Sequence, residues 1–481
     1  MSKSTIVTAT APDLQALDAR RRSWKSWELI VFRIAFIFYF LLVVPLSWKW
    51  YERVFTSKIV FDFFNSLMGF RGNDFFKVDS ESGRWGVGSY ANWFGIFVIA
   101  VVGGLIWTFI DRRYWRRKEY NFLNYWLGVV IRYRVALGII VFGFMKFYPV
   151  QMPYPGLGSL HTNLGDFSAY KLYWHSVGLV PWYEVVLGVA EVTAGILMLF
   201  RRTLFMGAVL NLGILYNIAH ANHAYDGGVH VYSAETVILS LFFIIQYTPD
   251  IWRLIVQEND VLPQRYFPVY NNSWKRKLSI AVKALSILLF VFYYGFLRYE
   301  LHYVKKETKA PVTKGLPAIA GYYNVSSFSV NGKEIPYHPL DSVRWQDVVF
   351  EEYSTMVYKL NRPKVLPLSN GSRQEHDIDR NYELSGIAGR TFLYYDQDTV
   401  QQVLTLYDKG VVKKKDSGER EKNRGKDPKK GRIPDWVLHY QRPDASTVLL
   451  KGTNAAKDSV VIVLNKLPKQ YPIQQSPYNA Q

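Results

Sequence analysis

Residues 143–158 (GFMKFYPVQMPYPGLG), 181–203 (PWYEVVLGVAEVTAGILMLFRRT) and 211–235 (NLGILYNIAHANHAYDGGVHVYSAE) belong to one stretch, Lys146 to Glu235, whose reading decides the fold. Its apolar runs are long enough to cross a hydrocarbon core of about 30 Å. The same runs hold Lys146, Glu184, Glu191, Asn211, Asn217 and Glu235. Ionisable groups inside apolar helices are costly to bury, so they turn toward a protein interior and are kept where they serve a purpose. The stretch therefore predicts membrane-spanning helices whose polar groups face one another rather than lipid.

Working outward, the same signal recurs on both sides. Seven spans are expected: 29–48, 93–110, 126–147, 179–200, 203–221, 231–247 and 278–297. Gly103-Gly104 lets the second pack closely on a neighbour. The long 49–92 loop carries FDFFNSLMGF, which reads as an interfacial amphipathic helix. Lys and Arg concentrate at 20–25, 111–118, 201–202 and 253–277, while 148–178 holds only Lys171 and 222–230 has none. The bias puts the N-terminus in the cytoplasm and, after seven crossings, the C-terminal part outside. The 148–178 loop, rich in Pro, Gly and aromatics and carrying His161, Asp166 and His175, is expected to fold as a cap over a cavity. No cleavable signal peptide is expected in the polar residues 1–19.

Composition narrows the function classes. A net charge of +19 is accounted for by the basic flanks of the spans, so no nucleic-acid partner is expected. With no cysteine, disulfides, thiol relays, iron–sulfur clusters and CxxCH haem attachment are excluded. The 16% aromatic content fits interfacial belts of Trp and Tyr.

From about residue 305 the pattern changes to period two. YYNVSSFSV, Asn331-Gly332 and KEIPY read as strand, tight turn and strand. DVVFEEYSTMVYKL, NYELSG, RTFLYYD, VQQVLTLYD, DWVLHYQ, STVLLKG and DSVVIVLNKL continue the alternation. The fold class is thus a polytopic α-helical membrane domain followed by an antiparallel all-β domain, a lipocalin-like barrel or a sandwich. Residues 409–432, with eleven basic and four acidic side chains, read as a solvated hairpin loop, and 471–481 as a disordered tail. Asp341, Arg344, Trp345, Glu351 and Glu352 form the densest polar group of the β part, read as a barrel-closing stack.

Sorting the intramembrane groups by depth gathers Lys146, Glu184, Glu191, Asn217, His220 and Glu235 in the outer halves of four successive helices. Glu184 and Glu191, seven apart, share one helix face. Such a set serves either as a buried ion-pair network that sorts helix packing or as a site for protons or a polar head group. In the second case Glu184, Glu191 and Lys146 are the catalytic candidates, and Asn211, Asn217, His220 and Glu235 the cofactor-binding ones. His220, His223, Asp226 and His230 supply enough N and O donors for zinc or iron, although no HExxH pattern accompanies them.

IRYRVALGIIVFGFMKF, a Pro-rich loop, YEVVLGVAEVTAGILMLFRRT and a polar-tipped helical hairpin resemble the DoxX/DoxD-like membrane proteins over residues 126–248. Arg132, Gly143 to Lys146, and Glu184 or Glu191 match that family's four-helix unit. The chain is similar to the larger Bacteroidota members, with two helices before the unit and one helix plus an extracytoplasmic domain after it. The resemblance implies an inner-membrane protein whose outer-leaflet cavity takes a quinone or similar amphiphile within a redox-linked complex. On that reading Glu184 and Glu191 handle protons, Lys146 holds an oxygen, His220, His223 and His230 relay protons, and a partner supplies electrons. The other expectation is a non-catalytic scaffold or envelope-biogenesis factor whose β domain binds a partner or lipid.

Overall fold

The computed structural model describes residues 24–76, 90–261, 266–268, 272–363, 366–367, 371, 374–410, 428–429 and 431–474. Most of the cytoplasmic segment expected at 1–28, of the basic loop 409–432 and of the 471–481 tail lies outside the described residues.

Among the described residues, seven helices are long and apolar enough to cross a membrane: α1 Ser26–Val43, α4 Ala91–Trp115, α5 Asn121–Phe147, α8 Pro181–Leu199, α9 Leu204–Ala224, α10 His230–Ile255 and α11 Ser273–Val304. The chain is a multi-pass membrane protein. Their lipid faces are plain in the packing: Phe94, Leu105 and Phe109 of α4 stay exposed, as they would against acyl chains. Short helices α2 (Trp48–Phe55) and α3 (Val60–Met68) follow α1, and α6 (Leu157–Leu160) and α7 (Ala169–Gly178) lie between α5 and α8.

The chain divides into two compact units, 1–141 with 191–294, and 142–190 with 295–481. Within the first, α1 and α4 are held by a buried ion pair, Arg33 to Asp111 at 2.7 Å. Arg33 also donates to Thr108 Oγ1 and Tyr120 Oη, each at 3.0 Å. Gly104 is where the two helices meet: a Cβ there would lie 3.0 Å from the Ile34 backbone. The expected helix of this loop exists as α3, and one of its faces packs on the protein. Phe61 stacks on Tyr294 and Phe64 meets Phe290 and Tyr293 edge-on.

The second unit holds a closed antiparallel barrel. Its eight staves are β1 (Gly321–Val330), β3 (Asp347–Phe350), β4 (Thr355–Lys359), β5 (Arg390–Asp398), β6 (Val403–Asp408), β7 (Trp436–Gln441), β8 (Thr447–Asn454) and β9 (Ser459–Lys466), each paired with the next, and β9 closing on β1. The two-residue β2 (Lys333–Glu334) folds back on β1 through Asn331-Gly332, both at positive φ, the primed-turn geometry that suits a hairpin. Alternate side chains fill the interior, among them Phe328, Phe350, Met356, Leu393, Leu438 and Ile462. An eight-stranded barrel is narrow enough for side chains to fill it. Trp345 stacks on Tyr358 at 4.4 Å and meets Trp436 edge-on, and Arg344 donates to the Val325 carbonyl at 2.8 Å. Trp345 therefore belongs to the packed barrel interior, whereas Glu352 is exposed and Glu351 turns to the 148–180 connection.

NYELSG, expected as a strand, is instead a run of buried turns. Its Leu384, with Ile387, packs on Val349, Val357 and Phe392, joined by Leu157 and Phe167 of the 148–180 connection. Pleating the segment into the sheet would remove the cover from this outer wall.

Candidate functional site

The 148–180 connection is folded, and within its unit it is fastened to the barrel wall. Phe167 and Ile387 form an antiparallel bridge, Ser168 N donates to Gly386 O, and Ala388 N donates to Asp166 O, both at 2.8 Å. Glu351, next to the end of β3, accepts the backbone N–H groups of Gly158 at 2.7 Å and Leu157 at 2.8 Å. Glycine at 156 and 158 leaves room for this contact, since a Cβ there would lie 2.8 Å and 3.2 Å from Glu351 Oε1. Burial pushes the Glu351 carboxyl up to about 7. Beside it, Lys409 pairs with Glu383. His161 stacks on Tyr322 at 3.7 Å and shares a 2.6 Å hydrogen bond with Tyr471; burial lowers its imidazole to about 4.

On the other side of this connection lies a buried polar cluster. Pro181 opens α8 with its fixed φ, which puts Glu184 in the first turn, where the helix dipole favours a carboxylate. Glu184 is fully buried. Its Oε1 accepts Gln151 N at 3.1 Å and Met152 N at 3.2 Å, while Oε2 has no hydrogen-bond partner among the described residues. Lys146 and Lys309 both act on it as positive charges. Lys309 donates to the Gln151 carbonyl at 3.2 Å and sits 4.8 Å from the Trp174 ring centroid. Burial lowers its ammonium to about 8, an effect that Glu184 partly offsets.

Lys171 extends the cluster. It is wholly buried on α7, donates to the Tyr382 carbonyl at 2.6 Å and lies 3.6 Å from the centre of that ring. Burial, and then the nearby Lys309, drive its ammonium well below the usual lysine range. His175, one turn on, is lowered to about 3 by burial and by Lys171. Among the described residues, both His175 ring nitrogens, the Tyr382 hydroxyl and Gln151 Oε1 are buried without a hydrogen-bond partner. Tyr170 and Trp174 pack with Tyr382 as an aromatic wall. A buried polar group left unpaired costs about 1–3 kcal/mol, so a cluster of them calls for a physical explanation. Carboxyl, amine, imidazole and phenol stand together here, a set that can bind an oxygen-bearing head group or pass a proton.

The two units divide the residues singled out from the sequence. Lys146 and Glu184 are buried in the second; Glu191, Asn211 and Glu235 are buried in the first. Asn211 donates to Ser240 Oγ at 2.5 Å, and Glu235 lies 3.5 Å from Arg134. Asn217 and His220 are not brought to a shared interior. Both are exposed on the α9 face that also carries Met206, Gly213 and Tyr216, and His220 Nδ1 is satisfied locally by the Tyr216 carbonyl at 3.0 Å. The proposed metal set is likewise not assembled: among the described residues no three His, Asp or Glu side chains could hold an ion. His223 and His230 do approach, with ring centroids 4.6 Å apart, but His223 is engaged with the Tyr90 hydroxyl at 2.6 Å. Asp226 sits at φ 53° in the following turn, and His220 points away.

Gln151, Lys171, Lys309 and Tyr382 were not identified as site residues from the sequence. Lys309 sits in KKETKAPV, where a lysine is expected in water, and Tyr382 in a segment that alternates like a strand. Only the isolation of Lys171 in an otherwise lysine-free loop gave a signal.

No protein-family model matches the chain, and no solved structure matches it. It is similar to the uncharacterized protein YwoB of Bacillus subtilis (strain 168), 31% identical over 75 residues, which is 16% of this chain and 49% of that one. The chain thus spans about half the length of the curated relative it matches.

Proposed function

We propose that this is a DoxX-like inner-membrane protein that binds the head group of a quinone or similar amphiphile in the cluster of Gln151, Lys171, His175, Glu184, Lys309 and Tyr382. The observation that carries the reading is the open hydrogen-bond capacity of His175, Tyr382, Gln151 and Glu184 Oε2 inside one buried, aromatic-walled cluster. The donor set fits: Lys309 and the Tyr382 hydroxyl suit carbonyl oxygens, and Trp174 and Tyr170 suit a flat ring. Bound there, a quinone would supply two-electron, two-proton redox chemistry. Glu184 would hold and pass the protons, His175 would offer a neutral imidazole to the head group, and Lys146 would keep positive charge near the carboxylate. Electrons would come from a redox partner protein. The Lys/Arg bias of the loops supports a cytoplasmic N-terminus and a periplasmic barrel.

The scaffold reading is favoured by a different observation, the filled barrel interior, which suits a partner-binding surface more than a ligand-holding lumen. One experiment separates the two. The full chain is purified in mild detergent, extracted with organic solvent and assayed for quinone, beside Lys309→Met and Tyr382→Phe. Co-purifying quinone that both substitutions deplete supports the site. A quinone-free protein whose thermal midpoint ignores added short-chain menaquinone sinks it.

A further inference from the structure

Within the first unit, a pocket of about 310 Å³ opens where α5, α9 and α11 begin and α10 ends. Four cations line it, Arg132, Arg201, Arg276 and Lys283, and no Asp or Glu does. None of the four makes an ion pair among the described residues. Arg132 lies three turns into α5, is 7% exposed, and its Nε has no hydrogen-bond partner among the described residues. A guanidinium at that depth without a counter-charge is costly. The Arg201 guanidinium lies over the Phe267 ring at the rim. Between the cations the walls are apolar, with Val129, Leu204, Phe242 and Phe243. The pocket thus combines four cations with apolar walls.

We infer that this pocket binds a phosphate group, carried by an anionic phospholipid or by a soluble phosphate ester. Arginine's planar fork pairs two N–H donors with two phosphate oxygens. Basic pockets between membrane helices take anionic head groups in this way, and the apolar walls accept the start of an acyl chain. The site shares no residue with the quinone-binding cluster, and the two proposals stand or fall separately.

The test uses the full chain in mild detergent and native mass spectrometry, with phosphatidylglycerol against phosphatidylcholine. Glycerol 3-phosphate, scored by thermal stabilisation, serves as the soluble ester. The expected result is about a tenfold preference for phosphatidylglycerol that falls to within about twofold in the Arg201→Gln/Arg276→Gln double variant, because charge-assisted hydrogen bonds are lost. Both residues are exposed, so the variant folds, which its elution profile checks. Arg112→Gln/Arg113→Gln, equally exposed but outside the pocket, keeps the preference. Stabilisation by glycerol 3-phosphate that disappears in the pocket variant, without lipid preference, also supports the site and makes the soluble ester its source. Equal retention of both lipids with no response to the ester overturns the inference. So does a preference that survives in the pocket variant.

Discussion

Replacing Glu351 by Gln tests how the 148–180 connection is fastened to the barrel. In the native protein two backbone N–H groups meet two carboxyl oxygens at 2.7 and 2.8 Å. A glutamine keeps one acceptor and turns its NH₂ toward the other N–H, a loss of about 1–3 kcal/mol. The pH dependence is the sharper part. Burial raises the Glu351 carboxyl from 4.5 to about 7, so the native state takes up a proton in that window while the unfolded chain is ionised. Its contribution is full below 4.5 and is lost as pH rises through 7. At about 1.36 kcal/mol per unit the loss is about 3 kcal/mol. Glutamine does not titrate. The variant is therefore less stable than the native protein at pH 5, and the gap closes or reverses by pH 8. Amide hydrogen exchange of peptides covering 156–161, measured at both pH values on the detergent-purified full chain, reads this directly once intrinsic exchange rates are divided out. A gap that stays constant would refute the reasoning. One that widens toward pH 8 would show that the two N–H donors outweigh burial and favour the charged form.

Three further outcomes follow from the packing. Arg33→Met leaves Asp111 buried beside Thr108 without its cation and costs about 3–5 kcal/mol, read as lost expression of monodisperse protein; Arg33→Met/Asp111→Leu recovers most of it, and a double variant no better than the single would contradict the pairing. Gly158→Ala drives a methyl to 2.9 Å from Val357 Cγ2 and 3.2 Å from Glu351 Oε1, so proteolysis within 148–180 accelerates about tenfold or more at an overpacking cost of about 1–3 kcal/mol, while β-sheet circular dichroism is unchanged. His175, lowered from 6.5 to about 3, contributes stability that is present above 6.5 and lost as pH falls toward 3. By pH 4 the loss reaches about 3 kcal/mol, so the difference in thermal midpoint between His175→Phe and the native protein shifts in the variant's favour on acidification; no shift would mean the imidazole is already solvated.

The spans and barrel were legible because their periods are long and repeated. The seven apolar runs, and strands such as DWVLHYQ and STVLLKG, differ from the observed elements mainly at their ends. The lateral arrangement was not legible. In α9 apolar residues surround the helix, so nothing local distinguishes the face of Asn211, which is buried, from that of Asn217 and His220, which is exposed. Depth along the membrane can be read from position in the run, but direction around the helix is set by the neighbours. The same limit hid Lys309 and Tyr382. Each is brought to Lys171 by the docking of the 148–180 connection on β3, β4 and β5, a contact between segments about 140 to 210 residues apart in number, for which periodicity holds no information.

The proposed role of the buried cluster around Lys171, Lys309 and Tyr382 is to hold a head group. A cryo-electron microscopy map of the protein purified from its own membranes tests it most directly. The expected result is a flat density packed on Trp174 and within hydrogen-bond distance of Lys309 Nζ and the Tyr382 hydroxyl. Side chains closed on one another, with His175, Tyr382 and Glu184 satisfied only by each other or by ordered water, would contradict it.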